Sequence, residues 1–221
     1  MNELDVFFLV LIEFTLILFL WKLGREYLYA SIATNLILVS VAGPKLIEIF
    51  GYTTNVGNIF YASVFVATYF IIEHCSRKDG ERAIGLGAIV VVLFVVMGQL
   101  VIAMSSVPET TGFSAALATI FRTSVRVASA SVIAYIIAQS INVGIYATLR
   151  EKGVARLWLR VATAGVASQF VDSILFFSIA FLGVLPLAVV VESMLVGFFL
   201  KVSITLLSIP LIYVSRRMRE T

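Results

Sequence analysis

The run Val161–Leu185 constrains the fold most, because it is long enough to cross a lipid bilayer as one helix. It reads VATAGVASQFVDSILFFSIAFLGVL, and Asp172 is the only charged residue in it. About 20 apolar residues are needed to span the hydrocarbon core. A carboxylate at that depth costs about 2.5–3.5 kcal/mol on insertion scales and is functional by default. The run therefore predicts a membrane helix that carries a polar site.

The overall composition excludes a water-soluble domain. Of the 221 residues, 61% are hydrophobic and 13% are charged, and the mean hydropathy is +1.06. A soluble domain of this size needs more polar residues to cover its surface. We predict one all-α integral membrane domain over residues 1–221.

Hydropathy predicts six or seven spanning helices in a transmembrane bundle. The segments are 5–21, 27–44, 57–75, 83–107, 124–148, 161–185 and 187–214. Lysine and arginine cluster after the first, third, fifth and seventh segments: Lys22, Arg25, Arg77, Lys78, Arg82, Arg150, Lys152, Arg156, Arg160, Arg216, Arg217 and Arg219. By the positive-inside rule, the N-terminus lies outside and the C-terminus lies in the cytoplasm. We expect a multi-pass protein of the cytoplasmic membrane.

Two stretches interrupt this regular pattern. Glycine and proline follow the second segment, and Lys45 and Glu48 there have the spacing of a helical pair in a re-entrant or interfacial turn. Residues 114–121 are moderately apolar and lead into Arg122 and Arg126 at the outer end of the fifth segment. Irregular backbone at membrane depth is tolerated where it is covered or lines a cavity. Both stretches are candidate mouths of a pathway.

A short polar pattern occurs twice, in the fifth and sixth segments. Gln139 and Asn142 are spaced as Gln169 and Asp172 are, so each pair lies on one helix face. The repeat suggests paired halves, as in many secondary transporters. The alternative is that these side chains are hydrogen-bonding contacts between helices. Lys201 lies deep in the last segment, where we expect either an ion pair with Asp172 or Glu192 or a place in the site.

Other polar and aromatic residues have two interpretations each. Glu73, at the end of the third segment, is either a solvated interfacial acid or a coupling acid. Glu13 is a buried pair member or packing contact, or less often a site residue. Asn35 is either a helix contact or a ligand. Phe60 and Tyr61 are ordinarily core aromatics, and in a site they would cover a planar ligand.

An enzyme is not expected. Residues 78–83 faintly resemble the start of the membrane CDP-alcohol phosphotransferase motif, but the following apolar run has no further aspartates to hold metal. H-E-x-x-H, G-x-S-x-G and Walker A sequences do not occur. One cysteine and one histidine argue against a disulfide or a cysteine-based metal cluster. We predict no metal and no prosthetic cofactor.

Several strings in a fixed order resemble the queuosine precursor transporter family, also called the vitamin uptake transporter family. They are Gly57-Asn58-Ile59-Phe60-Tyr61-Ala62-Ser63 before Glu73, Arg126-x-Ala128-Ser129 before Ala134-Tyr135-x-x-x-Gln139, Leu157-Trp158-Leu159-Arg160 before Ser168-Gln169-x-x-Asp172, and Lys201 before Pro210 and Tyr213. The resemblance runs from about Asn35 to Tyr213. The chain departs from the family at Tyr69 and Asn142, where aspartate is usual, and at His74-Cys75, where an aromatic–glycine pair is usual.

The resemblance implies import of a 7-deazaguanine such as preQ0 or preQ1, with the lipid bilayer and this small molecule as partners and no nucleic acid. A guanine-like base presents N–H donors on one edge and acceptors on another. We expect Asp172 to accept from the donor edge. The other expected substrate contacts are Gln169, Gln139, Asn142 and Asn35 on the remaining edges, Arg126 or Lys201 on the carbonyl, and Phe60 or Tyr61 on the ring face.

Two further functions stay open at this point. The first alternative is the substrate-binding subunit of an energy-coupling-factor vitamin importer, which binds alone but transports only with partner proteins. The chain is also compatible with a non-transporting structural membrane protein whose polar residues only specify packing. The sequence leaves open whether the protein is a monomer or a homo-oligomer.

Overall fold

The computed structural model describes residues 2–122 and 125–218, and that part of the chain is a helical bundle with one β-hairpin. The elements are α1 (Asn2–Leu23), α2 (Arg25–Ala42), β1 (Leu46–Ile49), β2 (Tyr52–Asn55), α3 (Gly57–His74), α4 (Arg77–Ala103), a 3-10 turn (Pro108–Thr110), α5 (Thr111–Phe121), α6 (Val125–Glu151), α7 (Leu157–Phe181), α8 (Leu187–Leu207) and α9 (Ile209–Arg217). Residue 124, where the fifth predicted segment starts, and Arg219 lie outside the described residues.

Five stretches of the described chain are long and apolar enough to cross a membrane: α1, α4, α6 from Arg126 onward, α7, and α8 with α9. The prediction of a helical, multi-pass membrane protein is therefore confirmed. Helices α2 and α3 form at the predicted positions with 18 residues each, about 27 Å at 1.5 Å per residue. They are not among the five, so seven crossings stay a prediction. Helix α3 is buried along nearly its whole length, so protein and not lipid surrounds it.

Two helix boundaries differ from the predicted segments for local reasons. Helix α4 begins at Arg77 rather than near residue 83, because the Ser76 hydroxyl accepts from the Asp79 amide (3.2 Å) and caps the helix. The last segment is divided at Ser208 into α8 and α9. Pro210 lies in the first turn of α9, where the missing amide hydrogen is tolerated. The break between α8 and α9 thus falls two residues before Pro210.

The described chain is helical apart from one short hairpin, and this hairpin replaces the helical turn expected around Lys45 and Glu48. Strands β1 and β2 pair antiparallel, with Ile49 opposite Tyr52. Phe50 and Gly51 form the two-residue turn, with φ of 51° and 80°, the left-handed values that a type I′ hairpin turn requires. The hairpin is held by the start of α1, since the Phe50 amide donates to Glu3 Oε1 (2.9 Å).

The basic connections meet at one end of the bundle, opposite the hairpin. Arg25, at the start of α2, has its Nη1 atom 3.4 Å from Asp79 Oδ1 at the start of α4. Arg160 near the start of α7 and Arg216 near the end of α9 both bind Glu73 at the end of α3. This arrangement agrees with the alternation of charge along the sequence. That the basic end faces the cytoplasm stays a prediction.

Helix α3 lies at the centre of the bundle. It packs against α1 and α2 on one side and against α6 and α8 on another, while α7 packs between α6 and α8. The outer surfaces of α1 and α4 expose large apolar side chains such as Phe7, Phe8, Ile89 and Leu93. Such a surface suits lipid rather than water. The centre of the bundle, around α3, α6, α7 and α8, is where the polar residues converge.

Candidate functional site

An ion pair with a tyrosine lies at the centre of the polar region. Lys201 Nζ on α8 donates to Asp172 Oδ2 on α7 across 2.6 Å, and both side chains are about 95% buried (4% and 6% exposed). Tyr61 Oη on α3 donates to the other oxygen, Asp172 Oδ1, also at 2.6 Å. The Lys201 ammonium lies 5.4 Å from the Tyr61 ring centre, within cation–π range. The pairing of Lys201 with Asp172 confirms one of the predicted alternatives, and three helices meet at one carboxylate.

Buried polar groups that lack a hydrogen-bond partner among the described residues occur on the three helices of this triad, α3, α7 and α8, and on the neighbouring helix α6. They lie on the same four helices and comprise Gln139 Nε2 and Asn142 Oδ1 on α6, Gln169 Nε2, Gln169 Oε1 and Ser173 Oγ on α7, Tyr69 Oη on α3, and Thr205 Oγ1 on α8. Native proteins satisfy nearly all buried polar groups, so each exception needs an explanation. Seven such atoms on the four helices that meet at the ion pair make this region the candidate site.

Contacts between side chains place these groups on facing surfaces. Tyr61 and Tyr69 on α3 contact Tyr135 and Tyr146 on α6, with ring centres 6.5 and 5.4 Å apart respectively. Gln139 and Asn142 lie between the two α6 tyrosines in sequence, and the Asn142 amide donates to Gln139 Oε1 (3.3 Å). The two members of the α6 pattern therefore contact each other and face α3.

A glycine allows α3, α7 and α8 to approach closely beside the site. A Cβ atom at Gly165 would lie 2.8 Å from Thr205 Cγ2 and 2.9 Å from Tyr69 Oη. Gln169 follows Gly165 by one helical turn on α7, so its side chain lies over the same interface. This places the unpaired atoms of Tyr69, Thr205 and Gln169 in one region.

The unpaired atoms have complementary chemistry. The amide nitrogens of Gln139 and Gln169 donate, the oxygens of Asn142 and Gln169 accept, and the hydroxyls of Tyr69, Ser173 and Thr205 do both. The arrangement therefore offers donors and acceptors together to a small polar molecule. Among the described residues no group of three or more His, Cys, Asp or Glu side chains is placed to hold a metal ion.

Three residues expected in the site are not brought to the triad. Arg126 is exposed, and its guanidinium binds the carbonyls of Ile179 (2.5 Å) and Leu182 (2.6 Å) at the end of α7. It satisfies carbonyls left unpaired at a helix C-terminus, so the expectation that it meets the substrate carbonyl beside Asp172 is wrong for this conformation. Asn35 is buried on α2 and donates to the Ser31 carbonyl (3.1 Å).

Phe60 is buried on α3, but it precedes Tyr61 and so points about 100° away around the helix. The ring that contacts Lys201 and Asp172 is that of Tyr61. The structure thus favours Tyr61 over Phe60 as the aromatic beside the ion pair.

Glu73 is buried within a second polar cluster, so its interpretation as a solvated interfacial acid is wrong. Tyr146 Oη donates to Glu73 Oε2 (2.7 Å), and Arg160 Nη2 (3.2 Å) and Arg216 Nε (2.7 Å) donate to Oε1. Arg160 also lies 5.3 Å from the centre of the Tyr146 ring. Helices α3, α6, α7 and α9 are tied together here, at the basic end of the bundle.

Comparison with known proteins places the chain among membrane transporters. The sequence profile of a family described as "Putative vitamin uptake transporter" matches residues 55–215. The chain belongs to this vitamin uptake transporter family. One curated relative is the "Probable queuosine precursor transporter" of Bacillus subtilis (strain 168). It is 30% identical to this chain over 224 aligned residues, which cover 98% of this chain and 95% of the relative. No solved structure gives a significant match.

The family match contains the whole central site. Tyr61 near its start and Thr205 near its end both lie within residues 55–215, and so do the α6 and α7 pairs. The resemblance predicted from sequence motifs is therefore confirmed. The site residues that sequence reasoning missed are Tyr69, Ser173 and Thr205. Their spacing from Tyr61, Gln169 and Lys201 gave a usable signal, since Thr205 follows Lys201 by one turn and Ser173 follows Gln169 by one turn.

Proposed function

We propose that this vitamin uptake transporter family member imports a 7-deazaguanine precursor of queuosine, such as preQ0 or preQ1, across the cytoplasmic membrane. It acts as a secondary transporter that works by alternating access, with a single domain over residues 1–221 and no prosthetic cofactor. The carrying observation is the buried Asp172–Lys201 pair together with the seven buried polar atoms on α3, α6, α7 and α8 that lack a partner in the part of the chain that the structure describes. The name of the Bacillus relative supports the substrate class.

The chemistry of the site suits a deazaguanine. Such a base carries N–H donors next to a carbonyl, so it needs acceptors and donors side by side. Asp172 and Gln169 lie on one face of α7 and supply the acceptors, while Lys201 supplies a charged donor for the carbonyl. Gln139 and Asn142 on α6 offer a donor and an acceptor for the other edge. The Tyr61 ring is the aromatic surface beside the ion pair.

Binding of the base adds hydrogen bonds to Asp172. Both of its oxygens already accept, from Lys201 and Tyr61, but each carboxylate oxygen has a second lone pair. The base can therefore add to the carboxylate without expelling Lys201, which would otherwise leave a buried charge unpaired at a cost of about 3–5 kcal/mol. Sharing of one carboxylate between Lys201, Tyr61 and the substrate is the expected bound state.

The ion pair lies between the hairpin end and the basic end of the bundle. Tyr61 lies one turn into α3 on the side of the hairpin and is partly exposed, whereas Asp172 and Lys201 below it are buried. At the basic end the Glu73 cluster ties four helices together. We assign Glu73 to coupling as an ion-pair lock, which opens when the site faces the cytoplasm. Alternate opening of the hairpin end and of the basic end would move the substrate inward.

The test is uptake of labelled 7-cyano-7-deazaguanine by cells that neither make nor import it, with and without this gene. Expression should confer uptake, Asp172→Asn should abolish it, and membrane insertion of the variant should be unchanged. Glu192→Gln is the matched control, since Glu192 is an exposed carboxylate on apolar α8, and it should transport normally. Normal uptake by Asp172→Asn would remove Asp172 from the site. Absence of uptake by the inserted wild-type protein would overturn the proposed substrate.

A further inference from the structure

Glu13 differs from every other buried carboxylate in the described residues. The buried carboxylates there are Glu13, Glu73, Asp79 and Asp172, and the last three each pair with lysine or arginine. Glu13 has no such partner. It lies at the middle of α1 and is 6% exposed, so water does not compensate its charge. An ionised carboxylate in such surroundings is strongly disfavoured and becomes neutral instead.

Helix α1 directs Glu13 inward. Glu13, Phe14, Ile17 and Trp21 are its buried residues, and they recur at helical spacing along one stripe that packs on α2 and α3. The remaining faces of α1 expose apolar side chains such as Phe7. The carboxyl group is therefore enclosed by protein at membrane depth.

The polar neighbours of Glu13 are uncharged side chains, and none of them is a cation. They are Asn35 on α2 and Ser63 on α3. The Asn35 amide nitrogen donates to the Ser31 carbonyl and hydroxyl (3.1 and 3.4 Å), and the Ser63 hydroxyl donates to the Ile59 carbonyl (3.2 Å). Glu13 Oε2 and Asn35 Oδ1 each lack a donor among the described residues. A carboxylate only accepts, whereas a protonated carboxyl can also donate, so a proton on Glu13 removes the uncompensated charge and adds a donor to this uncharged polar group.

No charged or titratable side chain of the described residues acts on Glu13. On the packed face of α3, Tyr61 is bonded to Asp172 and Glu73 to Arg160 and Arg216, while His74 Nε2 lies 2.8 Å from Ser215 Oγ. On α2, the ionic groups Arg25 and Glu26 bind each other at the basic end (3.0 Å). On β1, Glu48 is exposed, and on α9, Arg216 is held by Glu73.

We infer that Glu13 is a proton-binding site that couples the packing of α1, α2 and α3 to a transmembrane proton gradient. The inference rests on the proposed transport function and names its energy source. The proton comes from water on the outer side, is held while Glu13 is packed against Asn35 and Ser63, and returns to water on the cytoplasmic side. Release requires water to reach the carboxylate, which means that the α1 interface with α2 and α3 must open. Helix α1 is thereby part of the transport machinery, although it lies outside the family match at residues 55–215.

The protonation state is tested without transport. Infrared spectra of the purified protein in lipid at neutral pH should show the carbonyl band of a protonated carboxyl group. Glu13→Gln should remove that band, because glutamine is the neutral isostere and should fold normally. Glu192→Gln, at an exposed position, should leave it in place. A spectrum in which Glu13→Gln removes no protonated-carboxyl band overturns the site.

Coupling is tested in proteoliposomes with labelled 7-cyano-7-deazaguanine. In Glu13→Gln, exchange of labelled for unlabelled substrate without a gradient should persist, while accumulation driven by an inward proton gradient should be lost. Gradient-driven accumulation by Glu13→Gln at the wild-type level, or a wild-type protein that exchanges substrate but ignores the gradient, would overturn the coupling role. A wild-type protein that shows no exchange at all would instead refute the proposed substrate, and the infrared result would then decide the proton site alone.

Discussion

Lys201 and Asp172 come from different helices and form a 2.6 Å ion pair in which each side chain is nearly inaccessible. A buried pair of this kind is weak evidence for stability, because desolvation of the two charges offsets their attraction. Removal of one partner is a different matter, since it leaves an uncompensated charge. The helices that carry the pair also hold buried polar atoms without a partner among residues 2–122 and 125–218, which a purely structural ion pair would not require.

A double-mutant comparison separates the structural role of this pair from its binding role. Lys201→Met alone should destabilise the protein by about 3–5 kcal/mol, because it leaves the Asp172 carboxylate buried and unpaired. The double variant Asp172→Asn with Lys201→Met should recover most of that stability but no uptake. Stability is measured as the fraction of monodisperse protein after heating in detergent. Recovery of uptake together with stability would show that the pair only holds the helices together.

Replacement of Tyr69 by phenylalanine should affect substrate affinity more than stability, unlike the same change at an ordinary hydrogen-bonded buried tyrosine. Its hydroxyl has no partner among the described residues, so Tyr69→Phe removes an unsatisfied group and should leave stability unchanged or slightly higher. If the hydroxyl contacts the substrate, the same change should weaken binding of 7-cyano-7-deazaguanine about tenfold, equivalent to about 1.4 kcal/mol. Titration calorimetry on the purified protein measures the affinity.

Tyr135→Phe is the matched control for Tyr69→Phe. The Tyr135 hydroxyl donates to the Ala83 carbonyl (3.4 Å), and loss of such a bond costs about 0.5–1.5 kcal/mol. This variant should therefore lose some stability and keep its affinity. An unchanged affinity in Tyr69→Phe would place Tyr69 outside the binding site.

Helical periodicity explains why part of the site could be predicted from the sequence. Gln169 and Asp172 share a face at any orientation of α7, and burial of a lysine in a lipid environment demands an acid such as Asp172. Spacing alone places Thr205 on the face of Lys201, but only the packing of α3 against α7 and α8 shows that the Tyr69 and Thr205 hydroxyls lack a partner among the described residues. The fold itself followed from the apolar runs.

The expectations for Arg126 and for residues 46–55 differ from the structure because they too depend on contacts or turn geometry that the sequence pattern does not show. Arg126 was expected at the substrate because of its charge, but the end of a neighbouring helix offers it unpaired carbonyls. That competition depends on where α7 ends in space. The hairpin at residues 46–55 was missed because the turn at Phe50–Gly51 has a weak sequence signal and a non-glycine residue with positive φ.

Gly165 allows a close helix approach that a methyl group would disturb. In Gly165→Ala the new Cβ would lie within 3 Å of Thr205 and of the Tyr69 hydroxyl (2.8 and 2.9 Å), and such overpacking costs about 1–3 kcal/mol. We expect a lower uptake rate at unchanged expression. Gly144→Ala on α6 is the control, since nothing lies within 4 Å of a Cβ there, and it should transport normally. Wild-type uptake by Gly165→Ala would mean that this interface does not shape the site.

The single cysteine provides a reporter for opening of the basic end. Cys75 follows α3 directly after the Glu73 cluster and is partly buried. Glu73→Gln removes the charge that holds Arg160 and Arg216, so the ends of α3, α7 and α9 should separate more often. Alkylation of Cys75 by a membrane-permeant maleimide should then become several-fold faster.

Glu81→Gln is the matched control for the Cys75 measurement, because it breaks an exposed ion pair at the same end, Arg77–Glu81 at 2.9 Å. Surface pairs of this kind contribute only about 0–1 kcal/mol, so the alkylation rate should stay at the wild-type value. Saturating substrate should change the rate in the wild-type protein and have less effect in Glu73→Gln, in which the lock is already weakened. Equal alkylation rates in wild type and Glu73→Gln would show that the Glu73 cluster does not close this end of the transporter.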